Sequence, residues 1–179
     1  MRIIGGRWRG TRLPVADAQG LRPTSDRARE TLFNWLQPML PGARVLDLFA
    51  GSGALGLESL SRGASKAILV ERDPSLCASL RATASRLQGG DAATVLQSDA
   101  LAFLRSHVGE PFDIAFVDPP FAEGLWDGVL AALPTAMAAG AWLYVESTPQ
   151  RNIEPGEGWL PHREGHTRDA RHALYRRAG

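Results

Sequence analysis

Apolar residues in the middle of this chain form short continuous runs, separated by longer stretches in which apolar and polar positions follow a helical period. Short continuous runs are typical of strands buried on both faces of a parallel sheet. Strands that alternate with helices indicate βαβ units, so the pattern predicts an α/β fold. The predicted strands are 44–49, 66–71, 93–98, 112–118 and 141–146, and the predicted helices are about 53–62, 74–87, 99–106 and 125–138.

The two ends of the chain add elements to this core. Residues 2–15 predict a small N-terminal β-hairpin that carries Arg and Trp, and the segment from Thr24 to about Gln37 predicts an amphipathic helix. A terminal hairpin is predicted from Trp159 to Arg163 and from Arg171 to Arg176. On the predicted N-terminal helix, the apolar positions near a 3.6 period are Ala28, Leu32, Trp35, Leu36 and Met39.

Length and composition fit a single domain. A chain of 179 residues can bury a substantial core, and we expect residues 1–40 to form an N-terminal extension and residues 41–179 the core. The predicted core is a seven-stranded, mostly parallel sheet with helices on both faces. Cys77 is the single cysteine, which favours a reducing, cytoplasmic compartment. No apolar run approaches the roughly 18 residues of a membrane span, so we expect neither a membrane partner nor export.

A glycine-rich turn follows the first predicted strand. Glycines let the backbone approach a ligand closely, and the helix that follows presents unpaired N–H groups and the positive end of its dipole. Gly51, Gly53 and Gly56 match the dinucleotide-binding pattern G-x-G-x-x-G, and Glu71 follows at the distance expected of a ribose ligand. The turn therefore predicts a cofactor-binding loop.

Asp47 favours a cofactor other than a dinucleotide. A carboxylate beneath the loop would repel a pyrophosphate, whereas it would attract an ammonium group. S-adenosylmethionine carries an ammonium group at its amino-acid end. A dehydrogenase is the alternative. Testing whether S-adenosylmethionine or a dinucleotide shifts the melting temperature of the protein distinguishes the two.

A second motif, Asp118-Pro119-Pro120-Phe121, follows the apolar run that ends at Val117. Two prolines cannot continue the ladder, so the chain must leave the sheet at its carboxyl edge, where open α/β sheets bind ligands. The Asp118 carboxylate and the Pro119 carbonyl are both acceptors, and Phe121 offers a flat apolar face. The motif predicts a site that holds both hydrogens of an exocyclic NH2 group with its ring stacked. Simple termination of the strand is the alternative.

Charge is distributed unevenly, although the net charge is only +1. Residues 1–29 carry +5, residues 30–150 carry −6 and residues 151–179 carry +2. Basic ends beside an acidic core suggest phosphate contacts, for which arginine is well suited. A general arginine bias of the composition is the alternative.

The N-terminal segment supplies candidates for nucleic-acid contacts. If residues 7–12 form a short strand, its period of two places Arg7 and Arg9 on one face, and we expect Arg12 to lie on or near the same face. The sequence leaves open whether Trp8 stacks on a base or packs against the hairpin. The candidate RNA-binding residues are Arg7, Trp8, Arg9, Arg12, Arg22 and Arg27.

Taken in order from Val45 to Phe121, these motifs resemble those of the Rossmann-like class I methyltransferases that use S-adenosylmethionine. The blocks Arg2 to Gly10 and Arg22 to Leu36 resemble one bacterial family, the 16S ribosomal RNA guanine-N2 methyltransferases of the small subunit. The resemblance covers nearly the whole chain, although the stretch from Ile153 to Arg168 has no clear match. The Asp-Pro-Pro-Phe form of the box is intact.

The resemblance implies methyl transfer to the N2 of one guanine of 16S rRNA, conventionally numbered 966, in the small ribosomal subunit or its assembly intermediate. The base would be flipped out of its stack. No metal is implied, and His162 and His166 lack the context of a metal site. The implied cofactor-binding residues are Asp47, Phe49, Gly51, Gly53, Glu71, Arg72, Asp99, Ala100 and Asp118, and the implied catalytic residues are Asp118, Pro119 and Phe121.

Two other functions remain open from the sequence. An amino methyltransferase that acts on adenine N6 or on a protein glutamine also uses a Pro-Pro box, but it more typically has Asn, Tyr or Trp in it. A non-catalytic RNA-binding module would not need the acidic residues of all the motifs, which are Asp47, Glu71, Asp99 and Asp118.

Overall fold

One sheet of seven strands forms the centre of the protein. The computed structural model describes residues 1–15, 24–121 and 124–179. The strands are β1 (Arg44–Asp47), β2 (Lys66–Glu71), β3 (Ala93–Gln97), β4 (Phe112–Val117), β5 (Met137–Ser147), β6 (Trp159–His166) and β7 (Arg171–Arg177). Their order across the sheet is β3-β2-β1-β4-β5-β7-β6. Strands β1 to β5 pair in parallel, and β7 is antiparallel to both β5 and β6. The predicted α/β fold with a mostly parallel sheet is confirmed.

Helices cover both faces of the sheet. A first apolar cluster joins one face to α1, α2 and the N-terminal residues, with Phe33, Leu57 and Phe116 among its buried members. A second cluster joins the other face to α4 and α5 and includes Phe103 and Trp126. Within the described residues the α-helices are α1 (Asp26–Leu36), α2 (Ala54–Ser61), α3 (Pro74–Arg86), α4 (Ala100–Ser106) and α5 (Trp126–Ala132).

Two predicted boundaries are wrong around α5. The helix predicted over 125–138 ends at Ala132, and Leu133–Ala136 form a 3-10 turn. Pro134 explains this end, because a proline has no N–H to donate inside an α-helix. The next strand therefore begins at Met137 instead of residue 141.

The core-facing stripe of α1 is also wider than its apolar pattern predicts. Leu32 and Leu36 are buried as expected, and Phe33 is buried beside them. Arg29 is buried as well, where its guanidinium donates to the Arg2 carbonyl and to Asp26. A charged residue thus occupies a position in the helix that faces the N-terminal segment.

The N-terminal segment, residues 1–15, is bound to α2 by hydrogen bonds that its backbone N–H groups donate. Ile4 N donates to both Glu58 oxygens, at 2.9 and 3.1 Å. Arg7 N donates to the Ser61 carbonyl and Trp8 N to its hydroxyl, each at 2.9 Å. These contacts provide donors for the carboxylate of the fully buried Glu58, and they fix the segment against the face of the sheet that carries α1.

The predicted N-terminal hairpin is shorter than expected. The chain does fold back antiparallel, with a bridge between Arg2 and Arg12 and a hydrogen bond from Ile3 N to Thr11 O. Residues 7–10, however, form a turn and not a strand. The prediction that a strand places Arg7, Arg9 and Arg12 on one face is therefore wrong.

The strand order reverses between β1 and β4, which places a topological switch point, the crevice, outside the carboxyl ends of these two strands. Asp47, the last residue of β1, pairs with Leu69 on one side and with Phe116 on the other. The chain continues from β1 towards β2 and β3 and then crosses to β4 and β5 on the opposite side. Ligands of open α/β sheets bind at this kind of switch point, outside the carboxyl ends of the strands.

Candidate active site at the carboxyl edge of the sheet

Asp47 lies at the bottom of the crevice and has one unused acceptor. Its Oδ2 accepts a hydrogen bond from Gly56 N at 3.1 Å, whereas its buried Oδ1 has no hydrogen-bond partner within the described part of the chain. The residue is only 1% exposed. A buried acceptor without a partner costs free energy, which a bound cation or donor would offset.

Burial also changes the protonation of this carboxyl group. Loss of hydration raises the pKa of Asp47 to about 7, and the Gly56 N–H offsets part of the increase. Near neutral pH the group therefore ionises readily when a positive charge approaches it. Asp47 is suited to bind an ammonium group.

The glycine-rich loop is shaped by contacts that exclude side chains. Gly51 and Gly53 have positive φ values of 54° and 82°, and Gly53 is the residue that precedes α2. A Cβ on Gly56 would lie 2.1 Å from the Leu69 side chain. The loop and the start of α2 can therefore pass close above Asp47, while Phe49 packs partly buried on the other face of the sheet.

Glu71, at the end of β2, fastens this loop. Its Oε2 accepts from Gly51 N at 3.0 Å, and its Oε1 accepts from Asp73 N at 2.9 Å. A carboxylate oxygen accepts more than one hydrogen bond, so these contacts are compatible with a ribose hydroxyl as a further donor. Arg72, the next residue, is exposed beside the crevice.

Asp99 follows shortly after β3 and caps a helix. Its Oδ1 accepts from Ala102 N at 3.0 Å, which makes it the N-cap of α4. Ala100 is buried at the first helical position, and Asp99 itself is exposed. The predicted adenine contact from Asp99 stays a prediction, and its local role is that of a helix cap.

The Asp118 to Phe121 box begins immediately after β4. Asp118 and Phe121 are partly exposed, whereas Pro119 is buried. Burial raises the pKa of Asp118 well above its usual range, and the nearby acids Glu146 and Asp47 raise it further. The Phe121 ring lies 5.9 Å from the Trp126 ring, centroid to centroid, and is tilted by 32°.

A buried polar cluster lies beside Asp118, and no local sequence pattern indicates it. Glu146 of β5 is 4% exposed, and its Oε2 accepts from the Thr24 hydroxyl at 2.7 Å and from the Tyr144 hydroxyl at 3.0 Å. The Tyr144 oxygen lies 2.6 Å from His172 Nδ1. His172 is buried on β7. The cluster joins three segments that are far apart in the chain.

Four of the five candidate RNA-binding arginines lie within the described residues. Arg7, Arg9, Arg12 and Arg27 are exposed. The guanidinium carbon of Arg7 lies 4.5 Å from the centre of the Trp8 ring. Arg22 lies outside the described residues.

Trp8 packs in the core. It is 6% exposed, and its indole N–H donates to the Gln88 carbonyl at 3.0 Å. The sequence left open whether Trp8 stacks on a base or packs against the hairpin. The structure supports packing, which corrects the predicted base-stacking role.

Comparison with known proteins agrees with this geometry. The family model described as conserved hypothetical protein 95 matches residues 1–176. The chain belongs to this family. A curated relative, ribosomal RNA small subunit methyltransferase D of Escherichia coli, is 46% identical over 180 residues, covering 99% of this chain and 90% of the relative. The family relationship inferred from the sequence is confirmed.

Solved structures place the family within a wider fold group. The structure of the Escherichia coli protein yhhF has a TM-score of 0.90 and 44% identity, covering 99% of this chain and 98% of that one. An RNA methyltransferase from Salinibacter ruber, in complex with S-adenosyl-L-homocysteine, has a TM-score of 0.69 at 13% identity, covering 88% and 94% of the two chains. The Rossmann-like methyltransferase fold is confirmed.

The described residues also bear on membrane and metal binding. None of their helices is long and apolar enough to cross a membrane. Among the same residues, no group of three or more His, Cys, Asp or Glu side chains is arranged to hold a metal ion.

Proposed function

We propose that this protein transfers a methyl group from S-adenosylmethionine to the N2 of a guanine in 16S rRNA, the one conventionally numbered 966. The observation that carries the proposal is the position of two acids, Asp47 and Asp118, at the carboxyl ends of adjacent strands at the switch point. One can hold the methyl donor and the other the amine that receives the methyl group. The relatives that are named as ribosomal RNA small subunit methyltransferase D support the choice of RNA.

The residues around Asp47 fit this cofactor. The unused Asp47 Oδ1 would accept from the ammonium group, and Gly51 and Gly53 leave room above it. Glu71 would bind the ribose hydroxyls, and Asp99 with Ala100 would line the adenine. When bound, S-adenosylmethionine supplies an electrophilic methyl group on a sulfonium.

Asp118 and Pro119 would prepare the nucleophile. The lone pair of an exocyclic base amine is delocalised into the ring, so the nitrogen is a poor nucleophile until that lone pair is localised. Acceptors at the Asp118 carboxylate and the Pro119 carbonyl can each take one N–H, which turns the lone pair towards the methyl group. As the N–C bond forms, the S–C bond breaks and S-adenosylhomocysteine is left.

The environment of Asp118 also provides for the proton that the amine must lose. The methylated nitrogen is briefly cationic and acidic. Because burial and the acids Glu146 and Asp47 raise the pKa of Asp118, its carboxylate is a better base than an exposed aspartate. Asp118 would accept the proton and pass it to solvent at the partly exposed rim.

A base inside folded RNA must be flipped out to reach this site. Phe121, supported by Trp126, would stack on the flipped base, while the exposed Arg7, Arg9, Arg12 and Arg27 would hold the phosphates. The substrate would be the small ribosomal subunit or its assembly intermediate, which implies a cytoplasmic location.

The proposal is tested by methyl transfer from labelled S-adenosylmethionine to small subunits that lack the modification, followed by mapping of the labelled nucleotide. We expect label on the N2 of one guanine of 16S rRNA. Label on an adenine N6 or on a protein glutamine would support an amino methyltransferase of another class. Bound RNA without any transfer would indicate a non-catalytic module and refute the proposal.

A further inference from the structure

Glu146 and Asp118 lie side by side at the substrate end of the crevice. Val145 of β5 pairs with Val117 of β4, and the two acids follow directly after this pair. Neighbouring strands are about 4.8 Å apart, so the two carboxyl groups leave the sheet close together. Phe116 and Tyr144, two residues before the acids, both belong to the first apolar cluster, so both acids extend towards the same face.

The hydrogen bonds of Glu146 define it as an acceptor. Its Oε2 accepts from the Thr24 hydroxyl and from the Tyr144 hydroxyl, and His172 Nδ1 lies 3.7 Å from the same oxygen. With the Tyr144 proton given to Glu146, His172 must donate its Nδ1–H to the Tyr144 oxygen. Burial lowers the pKa of His172, in agreement with a neutral ring. The cluster thus fixes a carboxylate at this position.

The order of the strands decides which part of a bound base lies next to Glu146. β1, with Asp47 and the proposed cofactor site, lies on one side of β4, and β5 lies on the other. A base whose amine is held at Asp118 and faces the cofactor must therefore extend its ring over β5. The part of the base next to the amine then lies closest to Glu146.

Guanine and adenine differ at this neighbouring atom. On the Watson–Crick edge of guanine the neighbour of the N2 amine is N1, which carries a hydrogen and is a donor, whereas N3 on the other side of the amine faces the sugar. On the same edge of adenine the neighbour of the N6 amine is N1 with a lone pair, an acceptor that a carboxylate repels. Two adjacent acids thus complement two adjacent donors, and they disfavour a donor beside an acceptor.

We propose that Glu146 accepts the N1–H of the target guanine and is the residue that selects guanine over adenine. The inference rests on the proposed N2 methylation and assigns the recognition of the base to β5. Thr24 and Tyr144 hold the carboxylate in place, so Thr24, which lies just before α1, contributes to base selection through Glu146.

The first test needs no variant of the protein. Small subunits are reconstituted with 16S rRNA that carries either guanine or 2-aminopurine at the target position. 2-Aminopurine keeps the amine, but it lacks the 6-oxo group and has a lone pair at N1 in place of the hydrogen. We expect kcat/KM to fall by about 10²-fold or more on 2-aminopurine, as is usual when a buried polar group loses its partner. Equal rates on the two bases would overturn the proposal.

The second test compares Glu146→Gln with Tyr144→Phe. The glutamine amide can donate to the N1 lone pair, so Glu146→Gln should lower activity on guanine and bring the ratio of the two bases close to one. Tyr144→Phe removes a supporting hydroxyl but keeps the carboxylate, and it should leave the ratio near that of the unmodified protein. If Glu146→Gln lowers both rates by the same factor, the residue is only structural and the proposal fails.

The two proposals fail in different ways. If the unmodified protein methylates guanine N2 but accepts 2-aminopurine equally well, only the role of Glu146 is refuted. If it places no label on guanine N2, the proposed function itself is refuted. Cofactor affinity, measured by calorimetry for both variants, verifies that each is folded.

Discussion

The backbone N–H of Gly51 donates a hydrogen bond to Glu71 Oε2 at 3.0 Å. The residue proposed to bind the ribose therefore also sets the position of the loop that covers Asp47. Recognition of the cofactor and the shape of its loop depend on the same carboxylate.

Replacing Glu71 should consequently affect both binding and loop geometry. We expect Glu71→Ala to weaken S-adenosylmethionine binding by about 1.5 to 3 kcal/mol, the usual range for hydrogen bonds to a charged group. Calorimetry measures this change directly. Glu110→Gln, which removes an exposed acid paired with Arg44 away from the crevice, is the control and should bind normally. Unchanged affinity in Glu71→Ala would exclude the ribose role.

Cofactor binding should depend on pH through Asp47. Its pKa is raised to about 7, so below this pH the side chain is largely neutral and attracts an ammonium group weakly. Affinity should therefore increase as the pH rises from about 5.5 to about 7.5, a range that stays below the α-amino pKa of about 7.7 to 8.0. Asp47→Asn should bind weakly and without this dependence. A flat profile in the unmodified protein would contradict the assignment.

The cofactor-free protein should show the opposite trend in stability. The folded pKa of Asp47 exceeds the ordinary value of 3.8, so the folded state binds the proton more tightly than the unfolded state. This contribution is greatest below pH 3.8, decreases as the pH rises to about 7 and is constant above that pH. Asp47→Asn should raise the melting temperature of the cofactor-free protein at a pH of about 8, and thermal unfolding at several pH values tests this.

Asp118→Ala should reduce turnover with little effect on cofactor binding. An acceptor that is used mainly in the transition state contributes to kcat, and we expect a reduction of about 10²-fold or more by analogy with oxyanion-hole donors. Asp113→Asn is the matched control, because Asp113 lies at the opposite end of β4 and accepts from Arg44 N. Near-normal kcat in Asp118→Ala would refute the proposed role of the box.

Neutralising Arg7, Arg9 and Arg12 should weaken RNA association. The three side chains are exposed, Arg7 and Arg9 in the turn and Arg12 just after it, so we expect each to contribute separately. The slope of log K against log salt should fall by about 0.7 to 0.9 for each arginine–phosphate pair that the substitutions remove. Filter binding at several salt concentrations measures the slope, and cofactor affinity should not change.

A control for this experiment uses arginines on other surfaces. Arg86, Arg105 and Arg163 are also exposed, on α3, α4 and β6. Their combined replacement changes the net charge by the same amount. If both triple variants alter the salt slope equally, general charge and not the N-terminal turn accounts for the binding.

Trp8→Phe separates packing from RNA contact. The variant keeps a large apolar ring but lacks the hydrogen bond to the Gln88 carbonyl, so we expect a decrease of about 1 kcal/mol in the free energy of unfolding. RNA affinity should remain unchanged. Weaker RNA binding at unchanged stability would restore the stacking role.

The α/β fold and the order of the motifs follow from the sequence alone. Each depends on residues close together in the chain: apolar runs that form buried strands, glycines before α2, and two prolines that end the pairing at β4. Parallel strands bring their carboxyl ends to one edge of a sheet. The positions of Asp47, Glu71 and Asp118 at the ends of predicted strands are therefore sufficient to place the three acids near each other.

Which other residues complete the site depends on tertiary packing. Thr24, Glu146 and His172 come from three distant segments, and their hydrogen bonds exist only because β5 lies between β4 and β7 and α1 packs across them. Trp8 and Arg29 lie in arginine-rich segments that suggest a surface, yet both are buried. Charge and local period predict where a residue lies along an element, whereas packing against distant segments determines whether water or protein surrounds it.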